Sequence, residues 1–311
     1  MSAQAGDMSV TGSSAIYIAN SDENAKTGYS MSDSVTFSGS TELDNGLTYS
    51  FSLELDGDAQ SEKVDPSAAS ATATSSNVVD SHSIKLSSDD FGTLTFAGHG
   101  GTSVLDGWDD VTPNAYEESW DVVSGADANR TNGLTGNNSW GYVSPSFSGA
   151  TVHASYFNNN TGNASAYTDF GIKVSPEMVE GLEVGMAWGT TEATAGTEID
   201  DSTMYVKYSY GPVTVGYQES ESDAPTATDT DESTFFGITY AVTDSFTIGY
   251  SMSEFNLGSS TTDQESDGIS ASYTMGGITV AGAMNSTDNI AGSTATTADK
   301  DAYEMSISFA F

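Results

Sequence analysis

The chain has 311 residues, with 7 Lys and Arg against 44 Asp and Glu, which gives a formal net charge of −37. This charge excludes nucleic acid, and also an anionic membrane surface bound through a basic patch, because both need clustered cations. Cysteine is absent, so disulfides, thiolate metal sites and cysteine nucleophiles are excluded. No run approaches the roughly 18 consecutive apolar residues of a membrane-spanning helix.

The N-terminal residues carry a processing signal that allows two interpretations. Ala3-Gln4-Ala5 has the A-x-A form of a signal-peptidase site. Residues 1–5 are therefore either a signal-peptide remnant or an ordinary start, and the sequence leaves both open.

Alternation of apolar and polar residues is the dominant pattern along the chain. From Leu47 to Leu55 every second residue is apolar, and the same pattern returns at 246–252 and 303–311. Such alternation predicts strands with one apolar and one polar face. Sixteen strands are predicted, at 7–19, 29–40, 47–57, 78–88, 93–99, 138–145, 150–158, 166–174, 182–190, 202–210, 213–219, 233–242, 245–254, 267–275, 278–286 and 301–311.

The connections between these strands alternate between short and long. Among the long ones are 58–77, 100–137 and 191–201, whereas 211–212 is short. A meander with all its long connections at one end is typical of an up-and-down barrel. Sixteen strands make a barrel too wide for side chains to fill, so the polar face would line water and the apolar face would meet lipid. We therefore predict an all-β fold, a 16-stranded antiparallel transmembrane barrel in a single domain over 1–311.

Three passages resemble the general porins of Gram-negative outer membranes. Residues 91–98 are similar to the family's fifth strand, and the chain end from Tyr303 to Phe311 is similar to its terminal strand. The most specific passage is Asn138-Ser139, followed by Tyr142, Ser144-Pro145, Phe147 and Gly149.

This resemblance implies an integral protein of the Gram-negative outer membrane, in contact with lipid and assembled as a homotrimer. It implies passive diffusion of small hydrophilic solutes and ions. It also implies that the third long loop, 100–137, folds inward and narrows the pore, and that Phe311 is an assembly signal. One departure stands out: family members set a cluster of arginines on the wall against an acidic loop, whereas Arg130, inside the loop, is the only arginine here.

Residues 100–137 are the candidate constriction loop. Two interpretations are open, a pore lining or a solvated surface loop. The rings of Trp108, Tyr116 and Trp120 favour the first, since a solvated loop rarely needs three large rings. A constriction lined with carboxylates concentrates cations, so a cation-favouring pore is predicted. The candidate constriction residues are Asp106, Asp109, Asp110, Glu117, Glu118, Asp121, Asp127 and Arg130.

Charged residues at polar-face positions of the strands are the candidate lumen wall. Lys85, for example, lies between Ile84 and Leu86 and so faces away from them. The full set is Glu54, Lys85, Asp169, Lys173, Glu183, Lys207 and Glu304.

Oxygen-rich clusters in the loops suit Ca²⁺ or Mg²⁺. Asp229, Asp231 and Glu232 form the candidate weak divalent site, although a purely solvated loop explains the same residues. No cofactor is required by this interpretation, and Ca²⁺ or Mg²⁺ on acidic loops is the one expectation.

Two other classes of function are left open. The first is a soluble or surface-attached acidic all-β protein with a structural or adhesive role, because alternation alone fits a sandwich as well as a barrel. The second is a barrel enzyme or a specific-uptake channel. An enzyme is not predicted, because the sequence carries neither a Gly-x-Ser-x-Gly elbow nor a phosphate-binding loop.

Overall fold

A computed structural model describes residues 7–21, 27–56, 78–126, 133–158, 166–192, 198–224 and 230–311. Its strands form one closed antiparallel barrel of sixteen strands, as the sequence predicts. In the described part of the chain, single 3₁₀ turns lie at Asp106–Trp108 and Ile290–Gly292. Among the described residues, no helix has the length and hydropathy needed to cross a membrane.

The barrel strands follow one another around the wall in chain order, and pairing of the first with the last closes it. They are β1 (Asp7–Ser21), β2 (Gly28–Glu42), β3 (Thr48–Asp56), β4 (Val79–Ser88), β5 (Gly92–His99), β8 (Ser139–Val143), β9 (Ala150–Phe157), β10 (Tyr167–Val174), β11 (Leu182–Glu192), β12 (Glu198–Tyr210), β13 (Val213–Asp223), β14 (Asp231–Thr243), β15 (Phe246–Asn256), β16 (Gln264–Met275), β17 (Ile278–Asp288) and β18 (Lys300–Ala310). Two further short strands, β6 (Gly101–Thr102) and β7 (Thr135–Gly136), pair with each other in a separate two-stranded sheet that is not part of the wall.

The register places apolar side chains on the outer face of the wall. Val206 of β12 lies opposite Tyr217 of β13, and both are substantially exposed. Their chain neighbours, such as Lys207, point to the inner face because consecutive strand residues alternate between faces. The outer face is therefore apolar and the inner face polar, which is the reverse of a soluble protein with an apolar core.

Several strands continue beyond the predicted ends. β13 runs to Asp223 rather than to 219, and β12 begins at Glu198 rather than at 202. Only residues 193–197 of the predicted connection 191–201 therefore lie between β11 and β12. The backbone pairing continues although the outward side chains change from apolar to acidic. Because the prediction relied on outward apolar residues, it placed the strand ends too early.

The outward-facing carboxylates at these strand ends meet across neighbouring strands. Like charges directly opposite each other destabilise a sheet. The pairs are Asp200 with Asp223, Glu221 with Glu232, Glu254 with Glu265, and Glu265 with Asp288. We call this set the acidic rim.

Candidate functional site

Residues 103–126, which follow β6, form an extended segment that we call the inner segment. It starts with the 3₁₀ turn Asp106–Trp108, in which the backbone N–H of Trp108 donates to the carbonyl of Leu105 over 3.0 Å. Its contacts join it to inward-facing residues of strands from β9 to β18. The inner segment thus lies inside the barrel, along the side formed by these ten of the sixteen strands.

A buried cluster anchors the start of the inner segment. Trp108 packs edge-on against Tyr205, with ring centroids 5.7 Å apart. The backbone N–H of Leu105 donates to Oδ2 of Asp169 over 2.8 Å, and the Ser155 hydroxyl donates to the same carboxylate. The buried members of this cluster are Val104, Leu105, Trp108, Phe157, Tyr167, Ala187 and Tyr205.

The middle of the inner segment lies directly on the wall because the two wall residues beneath it are glycines. A Cβ at Gly216 would lie 2.5 Å from Cδ of Pro113, and a Cβ at Gly237 would lie 2.5 Å from the carbonyl oxygen of Pro113. Farther along, the backbone N–H of Ala115 donates to the Ser270 hydroxyl over 3.1 Å. Glycines on β13 and β14 therefore make room for the backbone of the segment.

A second buried cluster anchors the end of the inner segment. Trp120 packs on Phe235 and Phe255, with ring centroids 4.9 and 5.9 Å away. Two wall side chains hold the backbone beside it: Asn285 donates to the carbonyl of Glu118 over 2.5 Å, and Lys300 donates to that of Ser124 over 3.3 Å. The buried members are Trp120, Val123, Ala126, Phe235, Phe255 and Ala302.

Between the two anchors, Tyr116 reaches the last strand of the barrel. Its hydroxyl donates to Oε1 of Glu304 over 2.5 Å, and Glu304 is almost fully buried. Burial, together with the hydrogen bond to Glu304, raises the pKa of Tyr116 far above its usual range. The phenol therefore stays protonated and remains a donor.

Six of the predicted constriction carboxylates lie on the inner segment. Asp109 is buried, and the other five are partly exposed. Carboxylate oxygens of Glu117, Glu118 and Asp121 come within 4.8 Å of one another, a grouping that could hold a metal ion. From Gly100 to Ala126 the sequence has no Lys or Arg. Asp127 and Arg130 lie outside the described residues.

The predicted wall lysines are not equivalent. Lys207 and Lys173 both approach Glu183, at 3.3 and 3.9 Å, so the structure brings these three predicted wall residues together. Tyr205 also donates to Glu183, over 3.2 Å. Lys85 lies elsewhere on the inner face, and within the described part of the chain it makes no ion pair. The sequence predicted the face of each lysine but not the shared carboxylate.

The wall from β1 to β4 is lined mainly by hydroxyls. Ser9, Ser38, Ser52 and Ser83 follow one another across these four strands in register, and the hydroxyls of Ser9 and Ser38 lie 2.7 Å apart. At the next inward-facing position of β3 and β4, the hydroxyl of Ser81 donates to the carboxylate of Glu54 over 3.1 Å. We call this surface the hydroxyl wall, and it lies across the lumen from the anchored inner segment.

The two described residues of the predicted divalent site do not face each other. Asp231 and Glu232 are adjacent residues of β14, so their side chains point to opposite faces of the wall. Oδ1 of Asp231 accepts the backbone N–H of Gly258 over 2.8 Å, whereas Glu232 is opposite Glu221 on the outer face. Asp229 lies outside the described residues. The alternation of the strand thus corrects the grouping.

Three wall amides that hold the inner segment were not predicted: Gln218, Gln264 and Asn285. Each occupies an inward position where period two predicts only a polar residue. The sequence signal that could have identified them is side-chain size. An amide larger than the surrounding Ser, Thr and Gly residues can extend from the wall to a hydrogen-bond partner inside the lumen.

Comparison with known proteins agrees with this geometry. The chain matches the family described as Gram-negative porin over residues 1–289. The anion-selective porin from Comamonas acidovorans superposes with a TM-score of 0.74 at 15% identity, covering 98% of this chain and 100% of that one. Two mutants of the porin from Rhodopseudomonas blastica, at 16% and 17% identity, each superpose with a TM-score of 0.69 and the same coverage. No curated protein sequence matches.

Proposed function

The chain belongs to the Gram-negative porin family and is an integral outer-membrane channel protein, and on this basis we propose a passive, cation-favouring pore for small hydrophilic solutes and ions. The inner segment is the proposed constriction. The observation that carries this proposal is its charge: six carboxylates and no cation between residues 100 and 126.

The wall charges support the same sign of selectivity. Asp169 and Glu304 add carboxylates beside the inner segment, while Lys173 and Lys207 share Glu183 and are partly neutralised by it. A negative constriction in a narrow, low-dielectric site concentrates cations and repels anions. The porin from Comamonas acidovorans is anion-selective, but it shares only 15% identity with this chain, so its selectivity does not determine the sign expected here.

Reversal potentials in a KCl gradient across a planar bilayer test the proposal. We expect cation preference that is stronger in dilute salt, since the Debye length shrinks from about 10 Å at 0.1 M to about 3 Å at 1 M. Replacing Glu117, Glu118 and Asp121 together by their amides should reduce the preference. An anion-selective wild-type channel would overturn the assignment.

We propose a homotrimer as the functional assembly, in keeping with the family. The first strand supports close packing of walls at Ser14, a small outward residue, whereas Phe311 packs over the neighbouring outward position Gly12. The mass of the detergent-solubilised protein tests this, and a single-protomer mass would contradict it.

We also propose that Ca²⁺ or Mg²⁺ associates with the acidic loops and strand ends without being a required cofactor. The support is electrostatic: the acidic rim sets carboxylates directly opposite one another, and a divalent cation relieves such repulsion.

A further inference from the structure

Two glutamines on the inner wall are among the most deeply buried polar residues of the described chain. Gln218 of β13 has an exposed fraction of 0%, and Gln264 of β16 has one of 1%. Each has its amide engaged by backbone groups that lie outside the barrel strands. Burial of this kind gives an amide a fixed direction, because it has no water to turn towards.

Gln218 holds the backbone at the start of the inner segment. Its Nε2 donates to the carbonyls of Trp108 and Asp109, over 2.6 and 3.0 Å, and its Oε1 accepts the N–H of Val111 over 2.9 Å. An amide can donate and accept at once, whereas a carboxylate would face two carbonyl oxygens without a proton. The amide thus fixes the backbone that carries Asp109 and Asp110.

Gln264 does the same at the other end of the inner segment. Its Nε2 donates to the carbonyl of Ala126 over 2.7 Å, and its Oε1 accepts the N–H of Ala291 over 3.0 Å. Ala291 has a φ of 55°, a left-handed conformation that is unfavourable for alanine. One amide therefore joins the inner segment to the connection before β18.

We propose that Gln218 and Gln264 are positioning residues that hold the inner segment against the wall and thereby set the conductance and charge selectivity of the channel. The inference rests on the proposed function of the inner segment as the constriction. The barrel itself does not depend on these amides, because β13 pairs by its backbone with β12 and β14 along its length. Their removal takes hydrogen-bond partners from the inner segment and, at Gln218, also from the Thr203 hydroxyl on β12, but it leaves the backbone ladder of the wall intact.

Leucine variants at both positions test the proposal in planar bilayers. Gln218→Leu and Gln264→Leu, singly and combined, should leave the barrel folded, as judged by its heat-modifiable migration on gels. Single-channel current noise should rise several-fold and cation preference should fall, most in the double variant. Thr214→Val is the matched control, since Thr214 faces inward on β13 and contacts Ser209 instead of the inner segment. A folded double variant with wild-type noise and selectivity would overturn the proposal.

A reversible tether separates positioning from a general loss of integrity. The hydroxyls of Ser119 and Ser253 lie 3.2 Å apart, and the chain has no cysteine. In the double leucine variant, oxidised Ser119→Cys and Ser253→Cys should restore quiet, cation-preferring currents, and reduction should abolish the rescue. Currents that the tether leaves unchanged would mean that the glutamines do not act by holding the segment.

The same cysteines keep the inference testable if the wild-type protein forms no channel, which would remove the proposed function alone. Oxidation of the cysteine pair should then be several-fold slower with Gln264→Leu than with Gln264, because the segment would leave the wall more often. Equal rates would overturn the positioning role. If the double leucine variant does not fold, Gln218→Met, which keeps the side-chain length and loses both the donor and the acceptor without adding charge, replaces it in the bilayer measurement.

Discussion

The hydroxyl of Tyr116, on the inner segment, donates to the carboxylate of Glu304 on β18 over 2.5 Å. These residues are 188 positions apart in the chain, so the contact ties the middle of the inner segment to the strand that closes the barrel. Burial and the hydrogen bond to Glu304 raise the pKa of the phenol, which favours the protonated form that donates in this contact.

Tyr116→Phe should lower the free energy of unfolding by about 1.5–3 kcal/mol, because Glu304 is buried and loses a hydrogen bond to a charged group. Urea unfolding of the detergent-solubilised protein measures the change. Glu304→Gln completes a double-mutant cycle, in which Tyr116→Phe should cost less once the charge is gone. Equal costs in the two backgrounds would show that the pair is not coupled.

Gly237→Ala should destabilise the protein by about 1–3 kcal/mol, the usual cost of overpacking, and lower the single-channel conductance. The added Cβ would meet the carbonyl oxygen of Pro113 and push the inner segment away from the wall. Gly141→Ala is the matched control, because the nearest atom to its new Cβ is 3.9 Å away. Similar conductance in the two variants would contradict the close contact at Gly237.

In buffer free of divalent cations, Glu265→Gln should raise stability by roughly 0.2–1 kcal/mol, because Glu265 lies opposite both Glu254 and Asp288. The gain should shrink as salt is added, since ions screen exposed charges. Thermal melts of both proteins at low and high ionic strength provide the comparison. A loss of stability at low salt would mean that the acidic rim is already neutralised by another partner.

Chelation of divalent cations at constant ionic strength should lower the melting temperature of the wild-type protein. An ion that binds only the folded form stabilises it, and at the acidic rim such binding would relieve the repulsion between opposed carboxylates. The shift should be smaller in Glu265→Gln. Identical melting curves with and without chelator would exclude a stabilising divalent ion.

The barrel was predictable because period two is a local property of the chain. Lys173 and Lys207 lie between apolar neighbours, and that was enough to assign their face. The strand ends were not predictable, since beyond Tyr217 the outward positions of β13 carry Glu219 and Glu221 and the apolar signal stops while the ladder continues.

The contacts of the inner segment depend on which strands face each other across the lumen, and that is a global property. Nothing near Gln218 in the sequence indicates that its amide meets Trp108, 110 residues away. The rings of the segment did indicate an anchored loop, and Trp108 and Trp120 occupy the two buried clusters. The aromatic residues thus pointed to the segment that lies anchored inside the barrel, but not to the wall residues that hold it there.

The glycines beneath Pro113 let the inner segment lie against one side of the barrel, so the proposed solute pathway lies off-centre, between the carboxylates of the segment and the hydroxyl wall. In the proposed channel, the inner segment therefore sets the width of the pore, whereas the sixteen strands set the diameter of the barrel. Substitutions in the inner segment can retune what passes while the sixteen strands stay as they are. Mutations in the inner segment can therefore change the proposed permeability without changing the apolar outer face that contacts lipid.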